Sequence, residues 1–170
     1  MKLVRHTIIA GVAAAAIAGA AYVALAPSAP AHVPPVTLIT IQGEKLTAED
    51  LRGKVVLVNF WATSCTTCVE EMPKLVDTYR KHRGRGFETI AVAMSYDPPN
   101  YVLHYAAKSA LPFKVALDPT GAAARAFGDV SLTPTTFVID RRGMIVKRYL
   151  GEPDFPELDA LIERTLAEAG

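Results

Sequence analysis

The run "KVVLVNFWATSCTTCVEEMP", Lys54 to Pro73, constrains this chain more than any other. Its first part, Val55 to Trp61, is apolar at nearly every position, on both of the faces that a strand presents. β-Branched valine favours extended backbone, and a strand without a polar face has to be covered on both sides. The next part carries helical spacing instead. Val69, Met72, Leu75, Val76 and Tyr79 recur three and four residues apart, on one face of a helix. This predicts a helix from Thr66 to about Arg83, kinked at Pro73 and stopped in "HRGRG", where glycine serves the C-terminal turn. The chain's two cysteines, Cys65 and Cys68, stand where strand gives way to helix.

The same alternation continues along the chain. "VTLITIQGEKLT" reads as a short strand or hairpin, with Thr47 placed to cap a helical turn and Asp50 three residues on. "FETIAVAMS" and "FKVAL" read as strands, separated by the helix "DPPNYVLHYAAKSA". "DPTGAAARAFG" is a turn and short helix. "TTFVID" and "MIVKRYL" form a hairpin about "RRG". In "DFPELDALIERTLAEAG", Leu158, Leu161, Ile162 and Leu166 share one helical face. Strands alternating with helices and closing in a hairpin give an α/β fold, a central mixed sheet flanked by helices. The first two crossovers are expected to be right-handed. At 170 residues, 51% hydrophobic, the chain suffices for one such domain.

The N-terminus has a different character. Lys2 and Arg5 are the only charged residues before Glu44, and Thr7 to Leu25 is an uncharged apolar run of 19 residues. As a helix it would extend roughly 28 Å, close to the thickness of a bilayer's hydrocarbon. Basic residues on its near side keep that end cytoplasmic and place the rest across the membrane. Two expectations stand side by side: an uncleaved anchor, or a signal peptide cut after Ala29-Pro30-Ala31. The sequence therefore divides into a signal-anchor helix over 1–26, a Pro/Ala linker over 27–35 and one domain over 36–170. The formal net charge of +1 offers no basic field for nucleic acid.

An exported domain meets conditions in which disulfides persist. Cys65 would lie at a helix N-terminus, where unpaired N–H groups and the helix dipole stabilise a thiolate. Cys68, nearly one turn on, would bring its sulfur beside the first, placed to resolve a mixed disulfide. A structural disulfide, a metal site and a peroxidase cysteine are the alternatives. A loop this short gains little entropy from closure. None of His6, His32, His82 and His104 stands at zinc-ligand spacing to the cysteines, although two thiolates alone suit soft Cu(I). The peroxidase context Pro-x-x-x-Thr-x-x-Cys fails, since Val58 and Ala62 occupy its positions. C-x-x-C within a βαβ pattern points to dithiol chemistry.

"VVLVNFWATSCTTCVEEMP" resembles the active-site strand and helix of thioredoxin-like proteins, in particular the membrane-tethered TlpA/ResA branch. Trp61 precedes the cysteines as in W-x-x-x-C-x-x-C, and Pro73 follows Cys68 by five residues, where the family's helix kinks. "TPTTFVID" is similar to the family's cis-proline segment. Met94 to Phe127 is similar to the branch's β-α insertion. Asn59 stands where ordinary thioredoxin has a buried aspartate, and Glu71 matches a glutamate that ResA-like proteins carry near the thiols.

The resemblance implies an exported thiol–disulfide oxidoreductase, with Cys65 as nucleophile, Cys68 as resolving thiol and Glu71 as proton acceptor. The rival for Glu71 is a solvated helix glutamate beside Glu70; an ionised Glu71 would also oppose a nearby thiolate. Pro134 is expected to be cis, with the Thr133 backbone as substrate partner and Trp61 shielding one flank of Cys65. No cofactor and no metal are expected. The implied partners are proteins with disulfides, apocytochrome c among them, and a membrane electron donor of the DsbD/CcdA type. The implied location is the bacterial inner membrane, single-pass, with the domain facing the periplasm, or the periplasm itself after signal cleavage. The segment Leu-Thr-Pro-Thr-Thr departs from the Gly-Ala-Pro-Glu-Thr of the maturation-specific CcmG group, which weakens the assignment to cytochrome c maturation. The second functional class is a copper-binding module serving oxidase assembly.

Overall fold

The computed structural model describes residues 31–168. The apolar run predicted to span a membrane lies outside them. Among the described residues, no helix is long and apolar enough to cross a bilayer.

Eight strands form one mixed sheet in the order β1-β8-β7-β4-β5-β6-β2-β3. They are β1 (Ala31–His32), β2 (Leu38–Thr40), β3 (Lys45–Leu46), β4 (Val55–Trp61), β5 (Phe87–Ala93), β6 (Lys114–Leu117), β7 (Thr135–Ile139) and β8 (Met144–Leu150). The helices are α1 (Thr66–His82), α2 (Pro99–Lys108), α3 (Ala122–Ala126) and α4 (Phe155–Ala167). β4 runs parallel to β5 and antiparallel to β7, and every one of its residues is buried.

The alternation of side chains along β4 builds two cores. Val55, Leu57 and Trp61 face α1, α2 and α4, where Met72, Leu75, Val102, Leu158 and Ile162 meet them. Val56, Val58 and Phe60 face the opposite layer of Leu51, Ala123 and Val130, and Phe60 sits edge-on to Phe127 with ring centroids 5.4 Å apart. Asn59 shares the first face, so the one polar residue of the strand points under α1.

Three local expectations are revised. Ala31–His32, placed by sequence in the linker, pairs with Ile145 and Met144 of β8, and the Val33 N–H donates to the Gly143 carbonyl at 2.8 Å. Two residues carry no alternation to read, and their partner lies over a hundred residues away. Thr47 does not cap the 3-10 turn Glu49–Leu51; Ala48 occupies that position, and Asp50 instead accepts from the Thr47 N–H and hydroxyl at 2.8 and 2.6 Å. The buried stripe of α1 is also rotated from the apolar one. It runs through Cys68, Glu71, Met72, Leu75, Thr78 and His82, while Val69, Val76 and Tyr79 sit at its margin. Polar residues tolerate this position because they are paired: Asn59 donates to Glu71, and His82 Nε2 lies 2.6 Å from Asp159 Oδ1 on α4. The helix continues through Pro73, which lies on its exposed side.

α4 begins with a cap of known chemistry. The Asp154 carboxylate accepts from the Glu157 N–H at 2.8 Å, with proline in the first turn. Asp154→Ala is expected to cost about 1 kcal/mol of unfolding free energy, measured by urea denaturation, since α4 covers Leu57 and Val138 within the first core.

Candidate functional site

α1 starts at the end of β4, and Cys65 is its N-cap residue, with an extended backbone at φ −89° and ψ 106°. Its sulfur accepts from the Cys68 N–H at 3.2 Å. A negative charge on this sulfur would meet the unpaired N–H groups of the first turn, which contains no acidic residue. Cys65 and Cys68 are joined in a disulfide, with their Cα atoms 5.2 Å apart. Cys65 is partly exposed and Cys68 wholly buried, so an incoming sulfur reaches the first and not the second.

Opposite lies the segment entering β7. The Thr133–Pro134 peptide is cis, and the Thr133 carbonyl oxygen is 3.6 Å from the Cys65 sulfur. This lip is held by the Thr135 hydroxyl on the Leu132 carbonyl at 2.7 Å, and by the Gly151 N–H on the Pro134 carbonyl at 2.9 Å. A third wall was not legible in the sequence. Asp97 accepts from the Thr63 N–H at 2.6 Å and from its hydroxyl at 2.5 Å, and the Tyr96 hydroxyl is 3.2 Å from Thr133 Oγ1. One turn after β5 thus fastens both the loop before Cys65 and the loop before Pro134. Tyr96 and Leu132 remain 57% and 60% exposed, apolar surface on either side of Thr133.

Three residues beyond Cys68 on the buried stripe of α1 lies Glu71. It is fully buried, and Asn59 Nδ2 donates to its Oε1 at 2.9 Å. Burial pushes the carboxyl up to about 7; the Asn59 hydrogen bond works against this, the Glu152 charge adds to it, and Lys74 opposes it. The reading of Glu71 as a solvated helix glutamate therefore does not hold, whereas Glu70 is exposed. The expected opposition of Glu71 to a thiolate applies only where it is ionised, from about pH 7 upward.

Trp61 stands apart from this rim. The sequence placed it as a shield on the flank of Cys65, but its side chain has no exposed surface. Its alternation position directs it under α1 and α2, where its ring meets Tyr105 at a centroid distance of 5.2 Å. A substrate chain cannot touch it here, and its place is in the packing beneath the thiols. Of the residues singled out from sequence, Cys65, Cys68, Thr133 and Pro134 meet at the disulfide, Glu71 lies further along α1, and Trp61 lies behind them. The residues missed were Thr63, Tyr96 and Asp97, together with Thr136, whose hydroxyl oxygen accepts from Asn59 Nδ2 at 3.0 Å. "SYDPP" reads locally as a helix entry through prolines, and nothing in it announces a contact 34 residues upstream.

This geometry can carry reversible sulfur exchange: an accessible sulfur at a helix end, a sheltered second sulfur, and a buried carboxyl that titrates near neutrality. Comparison with known proteins gives the same picture. A family described as Redoxin matches residues 28–162. The thiol-disulfide oxidoreductase ResA of Bacillus thuringiensis subsp. konkukian is 30% identical over 133 residues, 78% of this chain and 76% of that protein. ResA of Bacillus subtilis is 36% identical over 110 residues, 64% of this chain and 60% of that protein. A thiol:disulfide interchange protein of the thioredoxin family from Chlorobium tepidum TLS has a crystal structure that matches with a TM-score of 0.74. It is 27% identical and covers 84% of this chain and 100% of that one.

Proposed function

The chain belongs to the redoxin family as a TlpA/ResA-like thiol–disulfide oxidoreductase, and from that premise we propose that it works as an exported reductase of protein disulfides. The observation that carries this reading is the pairing of a reachable Cys65 with a buried Cys68 above the buried Glu71. In the reduced protein the Cys65 thiolate attacks one sulfur of a substrate disulfide. The Cys65–substrate bond forms, the substrate's own bond breaks, and the departing sulfur takes a proton. Cys68 then gives its proton to Glu71 and attacks the Cys65 sulfur, which releases the second substrate thiol. Two electrons have passed from the Cys65–Cys68 dithiol to the substrate, and the disulfide described above is the product. During the mixed disulfide the substrate backbone lies along the Thr133 lip beside Pro134, with its neighbouring side chains on Tyr96 and Leu132.

The remaining parts of the proposal concern the setting. Residues 1–26 anchor the protein in a bacterial inner membrane as a single span, the domain faces the periplasm, and a membrane donor of the DsbD/CcdA type re-reduces Cys65–Cys68. Apocytochrome c, whose haem-attachment cysteines must be reduced, is the proposed substrate. The basic N-terminus followed by an uncharged apolar run supports the anchor.

Trapping tests the whole reading. With Cys68→Ala, expressed as the full chain, the mixed disulfide has no resolving thiol. Cys65 is expected to accumulate covalent adducts with exported cysteine proteins, which separate on addition of dithiothreitol and are identified by mass spectrometry. Absence of such adducts, with turnover of a disulfide substrate preserved, would overturn it.

A further inference from the structure

The polar contact beneath the thiols does not end at Asn59. Its Nδ2 also donates to Thr136 Oγ1 at 3.0 Å. Thr136 is buried on β7, two residues beyond Pro134 and directly across from Asn59 in register. Three buried polar side chains therefore cross the fold, from the strand that follows the substrate lip, through the middle strand, to the helix that carries both cysteines.

The chemistry of the three groups is complementary. An ionised Glu71 only accepts hydrogen bonds, so it requires the amide N–H of Asn59. A protonated Glu71 also donates, and the amide oxygen then suits it. A carboxamide can present either end by turning about its last torsion. Thr136 Oγ1 accepts from the same Nδ2 and so holds the amide with its N–H end toward Glu71. Asn59 Oδ1 and Glu71 Oε2 have no partner among the described residues, so no other bond fixes the amide. An aspartate at position 59 would face Glu71 as a second acid, and an apolar residue would leave a buried carboxylate without a donor.

We propose that Asn59 and Thr136 are positioning residues that hold the amide N–H on Glu71 and so favour its ionised state, with Thr136 acting on Glu71 through the Asn59 amide. This rests on the reading of Glu71 as the proton acceptor but has its own readout. The charged groups bearing on Glu71 from elsewhere are Glu152 after β8 and Lys74 on α1.

The test is a carboxyl-carbon NMR titration of Glu71 in the oxidised full chain, where the cysteines do not titrate. Thr136→Val keeps the shape of the side chain and removes only the hydroxyl. It is expected to raise the proton affinity of Glu71 by about threefold, the effect of losing one modest hydrogen bond, and Thr136→Ser is expected to restore it. Asn59→Leu is expected to raise it by more. The double variant should match Asn59→Leu alone, because Thr136 then has no amide to act through. A Glu71 titration unchanged by Thr136→Val, or effects of the two substitutions that simply add, would overturn the proposal. If Glu71→Gln left the resolution step at full rate while Thr136→Val still shifted the titration, the mount would stand and the proton-acceptor reading would fall.

Discussion

Replacing Cys65 by serine is expected to reduce disulfide-reductase activity by at least about a thousandfold, the scale on which removal of a nucleophile acts. A hydroxyl at the head of α1 feels the same N–H groups as the thiol, but no helix field makes an alcohol ionise near neutrality. It also cannot form the disulfide that ends the cycle. Serine is among the best N-cap residues, and its oxygen can accept from the Cys68 N–H as the sulfur does. The fold should therefore survive while the chemistry is lost. Reduction of insulin disulfides followed by turbidity measures the chemistry, and the urea midpoint of the reduced protein, compared with reduced wild type, measures the fold. Activity within tenfold of wild type would remove Cys65 from the mechanism.

Glu71→Gln is expected to act twice. In catalysis it removes the base that takes the Cys68 proton, so resolution of the mixed disulfide should slow about a hundredfold, the lower end of general acid–base effects. Stopped-flow measurement of substrate thiol release reads this step. In stability the direction follows from the shift of the carboxyl from an ordinary value of 4.5 to about 7. The folded protein holds this proton more tightly than the unfolded chain does. The stabilisation is therefore complete below about pH 4.5 and is lost as pH rises through about 7. The full loss is at most about 3 kcal/mol. Glutamine keeps an oxygen for the Asn59 N–H and has no proton to lose, so this part of the pH dependence should vanish. Urea unfolding of the two oxidised proteins from pH 4 to pH 8 measures it. Parallel curves would show that Glu71 ionises in the folded protein as it does in water.

Tyr96 and Asp97 suggest why the segment between β5 and α2 matters to a protein of this kind. The turn ties Thr63 to one side of the site and Thr133 to the other. It thereby sets the distance between the two loops that flank Cys65. The exposed Tyr96 ring and Leu132 side chain give the opening between those loops an apolar border.

The order of the longer elements was legible in the sequence, because each repeats a period over its own length: valine after valine in β4, leucines at three and four in α4; two-residue β1 was not. The sequence also determined the dithiol, since Cys65 and Cys68 are local in the chain and the field that acts on them belongs to the helix they begin. What only the tertiary structure decided was contact between distant segments. Glu70 and Glu71 are indistinguishable as letters, yet one is exposed and the other is sealed under Asn59; a rotation of α1 by one residue's angle against the sheet would exchange them. Trp61 looked like part of the rim because it is near the cysteines in sequence, and the alternation of β4 sent it into the core instead. Thr136 and Asp97 joined the site through strand register and a loop crossing, which depend on how whole elements pack and leave no mark in the residues beside them.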